Sequence, residues 1–240
     1  METMCYYIHA LTALHAGTGQ GVGVVDLPIA REKSTGLPIV PGSGVKGVLR
    51  EELNPPPLNI DDLQNDDGKR ETAEKKYNEA REQWKALFGP ESQDAEKSGF
   101  AGALNIQDAQ LLCLPVRSVY GVFAWVTCPF VLKRYQRDLA QLPDVPSLPE
   151  PPCLPDGQQA LVTSQSKIDA EVDKKQKVFL EDLDFQVTKG KSTIDDLASY
   201  IAKAVFPVDT DEWRDTFIQS FLIIPDKVFS FLAETATEVR

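Results

Sequence analysis

Cysteine and histidine are scarce in this sequence. Four cysteines and two histidines occur among its 240 residues, and no CxxC pair is present; the cysteines are Cys5, Cys113, Cys128 and Cys153. This spacing disfavours a zinc site or a disulfide framework as the organising feature of the fold. We expect the thiols to be reduced and mostly buried.

Long hydrophobic runs are missing as well. No apolar stretch approaches the roughly 20 residues that a membrane span needs. The first residues, METMCYYIHALTAL, lack the basic start and the small-residue cleavage site of a signal peptide. The sequence therefore predicts a cytoplasmic protein that makes no contact with a membrane.

Positive charge is in short supply, since the formal net charge is −11 at pH 7, and this argues at first against nucleic acid as a partner. The distribution of charge weakens that argument. Residues 1–50 hold four basic and three acidic side chains, and residues 101–138 hold four and two. The excess acid lies in the remaining segments, so the net charge says little about a binding site in these two.

Glycine is concentrated in residues 15–50, which contain eight of the fifteen glycines. Glycine permits positive φ and close approach of the backbone to a ligand, so this segment is the candidate binding region for a large anionic ligand. The dinucleotide fingerprint GxGxxG does not fit, because Val22 stands where the third glycine is needed. A Walker motif does not fit either, because Gly47 follows Lys46 where serine or threonine is required.

What remains is a Gly/Ser turn that opens a helix, with Ser43, Gly44, Lys46 and Gly47 as its candidate binding residues. A helix N-terminus presents free N–H groups and the positive end of the helix dipole, and Lys46 adds a cation. A turn that merely leads into a helix is an equal alternative on this evidence. Gly17 and Gly19 lie in the same glycine-rich segment and are further candidates for close approach of the backbone.

The first half of the chain predicts a strand over residues 5–14 and a short extended piece, VVDLPI, in which Pro28 favours an edge. A helix follows with Ser43 as N-cap, and its apolar side chains are expected to pack on the sheet. Residues 54–99 are predicted to be an inserted helical lobe whose helix runs from residue 72 to 88 and stops at Gly89.

The second half predicts two strands within residues 101–128, linked at Pro115 to Ser118, and a helix opened by Pro129. Residues 141–158 are a proline-rich excursion. KVFLEDLDFQV and FIQSFLIIP are predicted strands, and helices are expected from Ser192 or Thr193 and from Asp226, which would cap it. The order predicts a single α+β domain over residues 1–240, ferredoxin-like or RRM-like, which is a common platform for RNA.

Several separated segments carry a resemblance to a known family. They are VVDLPIAREKSTGLPIVPGSGVKGVLRE, LFGPES, AGALNIQDAQLLCLPVRSVYGVFAWVTCPFVLKRY and FLIIPDKVFSFLAETATEV. In this order they resemble the backbone RNase subunit of the type III-B CRISPR effector, the Cmr complex, of the RAMP superfamily. The resemblance covers nearly the whole chain apart from the acidic and proline-rich excursions.

The resemblance implies a subunit that self-associates along a CRISPR guide RNA, beside other RAMP subunits, and cuts paired single-stranded target RNA at regular intervals. It implies that Asp26 is the acidic residue needed for cutting, that Ser43 to Lys46 meet the guide backbone, and that Mg²⁺ or another divalent cation is required. It also implies a C-terminal thumb hairpin, which is expected to be absent from this chain because the sequence stops at Arg240.

The chemistry of the residues agrees in part with these implications. A loop carboxylate at Asp26 could hold Mg²⁺ at the scissile phosphate, or accept the proton of an attacking 2′-hydroxyl. His15 could assist as acid or base, although a histidine at a strand end is more often structural. Arg31 and Lys33 are candidate phosphate contacts, with a pair of solvated surface charges as an equal alternative.

Two rival functions remain open. One is a guide-RNA-binding structural subunit of a RAMP-type ribonucleoprotein without catalysis, in which Asp26 is only a turn residue. The other is an acidic α+β protein-interaction module without RNA.

Overall fold

The computed structural model describes residues 2–17, 28–58, 67–90, 100–143, 145, 148–154, 157–189, 192–206 and 211–237. The chain forms two compact units. The first unit comprises Met1–Ile39 and Gln110–Arg240, and the second comprises Val40–Ala109. The second unit is wider than the predicted lobe at 54–99, because it also contains the glycine turn and the helix that follows. The prediction of a single domain with two excursions stays a prediction.

Six helices and nine strands are present in the described residues, and the mixed α+β class predicted from the sequence is confirmed. In chain order they are β1 (Ile39–Val40), α1 (Gly42–Glu52), α2 (Asp67–Phe88), β2 (Ala109–Gln110), β3 (Leu114–Arg117), β4 (Phe123–Thr127), α3 (Pro129–Leu139), β5 (Gln159–Val162), β6 (Ala170–Val172), β7 (Lys175–Leu180), β8 (Leu183–Lys189), α4 (Ser192–Val205), α5 (Asp211–Ser220), β9 (Phe221–Ile223) and α6 (Asp226–Thr235).

Seven strands of the first unit form one curled sheet in the order β3-β4-β9-β5-β8-β7-β6, and β1 pairs with β2 in a separate two-stranded sheet. Within the large sheet, β4 runs parallel to β9 and β5 runs parallel to β8. The curl brings the end of β3 to the end of β7, where Ser118 bridges Leu180 and the Glu181 amide donates to the Arg117 carbonyl at 3.0 Å.

Apolar side chains are buried on both faces of this sheet. Along β9, Leu222 belongs to the cluster that includes Phe229 of α6, whereas Phe221 and Ile223 belong to the cluster with α4 and α5. This alternation follows from the two-residue period of a strand. The central strands therefore lie between two layers of helices and hold the first unit together by apolar burial.

The helix predicted from residue 72 to 88 is confirmed as α2, which begins five residues earlier, at Asp67. Gly89 ends it as expected, since its φ is +94° and its amide donates to the Lys85 carbonyl at 2.8 Å. The left-handed region suits glycine because other residues are strained there.

The strand predicted over residues 5–14 is wrong, because this segment forms no regular strand. Its aromatic side chains pack on the first unit instead. The Tyr7 hydroxyl lies 2.7 Å from that of Tyr135, and the ring of His9 meets Trp125 and Phe206 edge to face. The aromatic residues that suggested a strand therefore make side-chain contacts with the rest of the first unit, and His9 has a packing role.

The link predicted at Pro115 to Ser118 is misplaced. Pro115 lies within β3, paired with Trp125 of β4, and the turn spans residues 118–122. A proline fits here because β3 is the first strand of the sheet order, and an edge strand has amides that need no sheet partner.

Two other predicted strands have different boundaries. KVFLEDLDFQV is not one strand, because β7 and β8 form a hairpin across Glu181 and Asp182, with Glu181 at φ +47°. FIQSFLIIP begins inside α5 and becomes a strand only at Phe221. The strands β5 and β6 were not predicted. These strands form because they pair with neighbouring strands of the sheet, and their own composition did not indicate them.

The predicted helices of the second half are confirmed as α3, α4 and α6, but their caps differ. Pro129 occupies the first turn of α3, as predicted. Asp226 does not cap its own helix, whose N-cap is Pro225. Its carboxylate accepts the Phe130 amide at 2.8 Å and so caps α3. No helix of the described residues is long and apolar enough to cross a membrane.

All four cysteines are free thiols, as predicted. Cys128 is buried and Cys113 is half-buried, whereas Cys5 and Cys153 are exposed, so the expectation of mostly buried thiols is wrong. Burial raises the pKa of the Cys128 thiol to about 12, and it also raises the pKa of Cys113. These two side chains are therefore protonated at neutral pH and are not nucleophiles.

Candidate nucleic-acid interface

The predicted site residues are divided between the two units. His15, Gly17, Arg31 and Lys33 belong to the first unit, and Ser43, Gly44, Lys46 and Gly47 belong to the second. Asp26 and Gly19 lie outside the described residues.

The start of α1 differs from the predicted cap. Its N-cap is Pro41 rather than Ser43, and the Gly42 amide donates to the Asp108 carboxylate at 2.8 Å. A Cβ atom on Gly42 would overlap the Ile106 carbonyl, so only glycine fits this close approach. The Asp108 carboxylate therefore occupies one of the free amides with which this helix N-terminus could bind an external anion.

The outer side of the same turn is open. Ser43, Gly44 and Gly47 are exposed, and added Cβ atoms at the two glycines would meet nothing within 4 Å. The Gly44 and Val45 amides donate to the Pro41 carbonyl at 2.9 and 3.1 Å. A ligand at this turn could approach the backbone closely, and the Ser43 amide has no partner among the described residues.

The ammonium group of Lys46 is held within the second unit. Its Nζ donates to the Leu104 carbonyl at 2.7 Å, and the side chain is part-buried. Three donors belong to an ammonium group, so this contact leaves capacity for an anion. A phosphate contact of Lys46 stays a prediction, and it would require either the remaining donors or release from Leu104.

In the first unit, Gly17 and His15 lie beside a short hairpin. Gly17 bridges Ile29, and the Ala30 amide donates to the Ala16 carbonyl at 2.7 Å. His15 is exposed, and its Nε2 lies 3.6 Å from the position that a Cβ on Gly17 would take. The exposed imidazole therefore lies beside the Gly17 backbone, where a ligand could reach it.

Arg31 and Lys33 have different environments. The guanidinium of Arg31 donates from Nη1 to the Gly36 carbonyl at 2.9 Å and to the Ala233 carbonyl at 3.1 Å. Lys33 is exposed at the turn of the hairpin, which Gly36 closes at φ +72°. Lys33 is accessible to a phosphate. The Arg31 guanidinium, by contrast, donates hydrogen bonds to carbonyls within the first unit.

Three residues at these places were missed by the sequence analysis. Asp108 takes the first amide of α1, and Glu32 pairs with Arg134, whose Nη1 lies 2.8 Å from its carboxylate. Hydrogen bonds from the Thr35 hydroxyl and from Arg134 hold the pKa of Glu32 below its usual value. Asp108 lies 66 residues from Gly42 in the chain, and Arg134 lies 102 residues from Glu32. No local sequence pattern could therefore have indicated either contact.

A divalent cation was predicted through Asp26. The described residues contain no group of three or more His, Cys, Asp or Glu side chains that could hold a metal ion. These residues supply no ligand set by themselves. The cation stays a prediction attached to Asp26.

Comparisons with known proteins give one consistent answer. Residues 7–238 match the RAMP superfamily. The chain is 33% identical over 240 residues to the CRISPR system Cmr endoribonuclease Cmr4 of Pyrococcus furiosus, covering 100% of this chain and 70% of that protein. A shorter match, 43% over 49 residues, joins 19% of the chain to 23% of the Cms endoribonuclease Csm3 of Enterococcus italicus.

Solved structures agree with these relatives. Oligomeric Cmr4 from Pyrococcus furiosus superposes with a TM-score of 0.62 at 30% identity, over 95% of this chain and 71% of that one. A chain of the Type III-B Cmr-beta complex bound to cognate target RNA superposes with a TM-score of 0.57 at 16% identity, over 94% and 67%. The second likeness concerns the fold alone.

Proposed function

Because the chain belongs to the RAMP superfamily and is a homologue of the Cmr4 endoribonuclease, we propose that it is the backbone RNase subunit of a type III-B Cmr complex. The observation that carries the proposal is a likeness to a named endoribonuclease that extends over the whole chain. Its substrate is single-stranded target RNA paired with a CRISPR guide RNA, and its working location is the cytoplasm.

The guide RNA is bound through its backbone. Base pairing between guide and target supplies the sequence specificity, so the protein needs contacts to phosphate and sugar only. The exposed Gly/Ser turn at the start of α1 supports this role, because Ser43, Gly44 and Gly47 leave the backbone open to a ligand. Lys46 and Lys33 supply cations for phosphate, and Gly17 and Gly19 allow further close approach.

Cleavage uses Asp26 and His15. The Asp26 carboxylate accepts the proton of the 2′-hydroxyl that attacks the adjacent phosphorus, and His15 donates a proton to the departing 5′-oxygen. The exposure of His15 beside Gly17 supports this assignment. Asp26 would also hold the divalent cation, which would supply positive charge to stabilise the scissile phosphate.

Copies of the chain associate along the guide, beside other RAMP subunits. The oligomeric state of the Pyrococcus furiosus Cmr4 structure supports self-association. A repeated subunit on a single guide places its cleavage sites at a regular spacing, which predicts a ladder of products separated by a constant number of nucleotides.

The test is a cleavage assay with the complex assembled on a guide of known sequence. Complementary RNA should be cut into a regularly spaced ladder, and the cutting should stop when EDTA removes divalent cations. RNA of the same length and composition but scrambled sequence is the matched control and should stay intact. Complementary RNA that is bound but never cut would contradict the nuclease and support a structural subunit without catalysis.

A further inference from the structure

Residues 29–39 form a short hairpin of the first unit, which we call the anchored hairpin. Its strands are joined by the bridge between Arg31 and Pro38, and by two amide contacts. The Ile39 amide donates to the Ala30 carbonyl at 3.0 Å, and the Glu32 amide donates to the Leu37 carbonyl at 2.9 Å. Ala30 and Leu37 are buried, so the hairpin is seated in the first unit.

Arg31 ties this hairpin to the end of α6. Besides its bond to Gly36 within the hairpin, its Nη1 donates to the Ala233 carbonyl at 3.1 Å, and its Nη2 lies 3.4 Å from the Thr237 hydroxyl. Carbonyls in the last turn of a helix have no helical partner, and a cation is favoured there. Ala233 is buried in the core, so the anchor point is fixed.

Glu32 ties the same hairpin to a second helix. Its carboxylate accepts Nη1 of Arg134, on α3, at 2.8 Å, and the Thr35 hydroxyl at 2.6 Å. The Arg134 side chain is only 13% exposed, and its Nε donates to Gln110 at 3.0 Å. Because successive side chains of a strand point to opposite sides, the two anchors hold the hairpin from both sides.

The anchored hairpin in turn holds the segment that carries the proposed acid. The Ala30 amide donates to the Ala16 carbonyl at 2.7 Å, and Ile29 bridges Gly17. His15 is the residue before Ala16. The two contacts therefore tie the backbone directly after His15 to the anchored hairpin.

We propose that Arg31 is a positioning residue for RNA cleavage and does not act by binding phosphate. Its guanidinium fixes the anchored hairpin, and the hairpin fixes the backbone beside His15, the proposed proton donor. Catalytic groups misplaced by about 1 Å lose on the order of a hundredfold in rate, so this anchor affects the chemical step. The inference rests on the nuclease function proposed above.

The test compares variants in the assembled, guide-loaded complex. Arg31→Ala should lower the cleavage rate at saturating target RNA about ten- to a hundredfold, while the target concentration for half-maximal rate is unchanged. Retention of guide RNA and its salt dependence should also be unchanged, because no phosphate contact is lost. Arg137→Ala removes the same guanidinium from an exposed position of α3, where it pairs with Asp138 at 2.8 Å, and should leave the maximal rate intact.

Two milder variants cover the possibility that Arg31→Ala prevents assembly. Arg31→Lys keeps the charge but cannot reach two carbonyls in the same way, and Glu32→Gln weakens the second anchor. Both should lower the maximal rate with normal RNA retention. Normal cleavage by Arg31→Lys and Glu32→Gln in complexes that assemble would overturn the inference.

The outcomes separate this inference from the function on which it rests. If the wild-type complex holds complementary RNA and never cuts it, both fail. If the wild type cuts and Arg31→Ala cuts equally fast, only the positioning role fails. If Arg31→Ala instead loses guide RNA and flattens the salt dependence by about one charge, Arg31 is a phosphate contact and the inference is overturned.

Discussion

The two compact units are stabilised in different ways. In the first, a sheet buries apolar side chains on both faces, and Phe221, Leu222 and Phe229 are fully buried. In the second, polar contacts of single side chains join the elements: the Trp84 indole donates to the Arg50 carbonyl at 2.8 Å, and the Arg50 guanidinium lies 4.8 Å from its ring centroid. Apolar burial is non-directional, whereas each polar contact depends on its geometry.

The largest expected effect is in the core of the first unit. Phe229→Ala removes a ring that is completely buried between α6 and the sheet, and it should lower the free energy of unfolding by about 3–5 kcal/mol. Urea unfolding followed by far-ultraviolet circular dichroism measures this loss. Phe231→Ala on the same helix is the control, since Phe231 is 52% exposed and its loss should cost little. Equal losses for both variants would contradict the assigned core.

A smaller, local effect is expected in the second unit. Trp84→Phe keeps a ring but removes the donor to the Arg50 carbonyl, which should cost the unit about 1–3 kcal/mol. Limited proteolysis should then cut faster within residues 40–109, with the first unit cut at the normal rate. Trp213→Phe is the control, because Trp213 is 53% exposed. Faster cutting throughout both units would show that they do not differ as described.

The start of α1 should respond to charge. Asp108→Asn can keep an acceptor for the Gly42 amide but removes a negative charge from the helix N-terminus. If guide phosphate binds there, guide affinity should rise about two- to fivefold at low salt, which corresponds to the usual 0.3–1 kcal/mol for a charge at a helix end. Filter binding measures this change in guide affinity. Asp138→Asn is the charge-matched control, and an equal rise for both variants would argue against a phosphate at α1.

The smallest effect concerns the N-terminal segment of the first unit. Burial raises the pKa of Tyr7 to about 12, and the pKa of its partner Tyr135 is raised as well. The neutral phenol is favoured in the folded state, so its contribution is present below the ordinary pKa of about 10 and is lost as pH rises through 12. Tyr7→Phe should flatten the fall in stability between these pH values.

Local sequence signals predicted some elements well. Gly89 and Pro129 mark the end of α2 and the start of α3, because glycine tolerates the left-handed conformation that ends a helix and proline fixes a helical φ in the first turn. The β7–β8 hairpin was missed because Glu181 and Asp182 at its turn are not the glycine or asparagine that usually indicates one. The strand predicted at residues 5–14 failed because its aromatic residues pack on distant side chains.

The candidate site shows a similar limit. The sequence indicated the Gly/Ser turn before α1, but the acceptor for its first amide is Asp108, which no local pattern connects to Gly42. For Arg31 the sequence left a phosphate contact and a solvated surface charge as equal alternatives, and it gave no sign of the bond to the Ala233 carbonyl, 202 residues away in the chain. Contacts of this kind depend on how the sheet and helices assemble, and this information is distributed over the chain.

The central claim is that the chain is an RNA-guided endoribonuclease whose chemistry depends on Asp26. The most direct measurement is the single-turnover cleavage rate of guide-paired target RNA by a complex that contains Asp26→Asn, which keeps the shape of the side chain and removes its charge. We predict a rate at least about a hundredfold lower, because a positioned proton acceptor is lost, with normal retention of guide and target RNA. Cutting at the normal rate and spacing would contradict the claim.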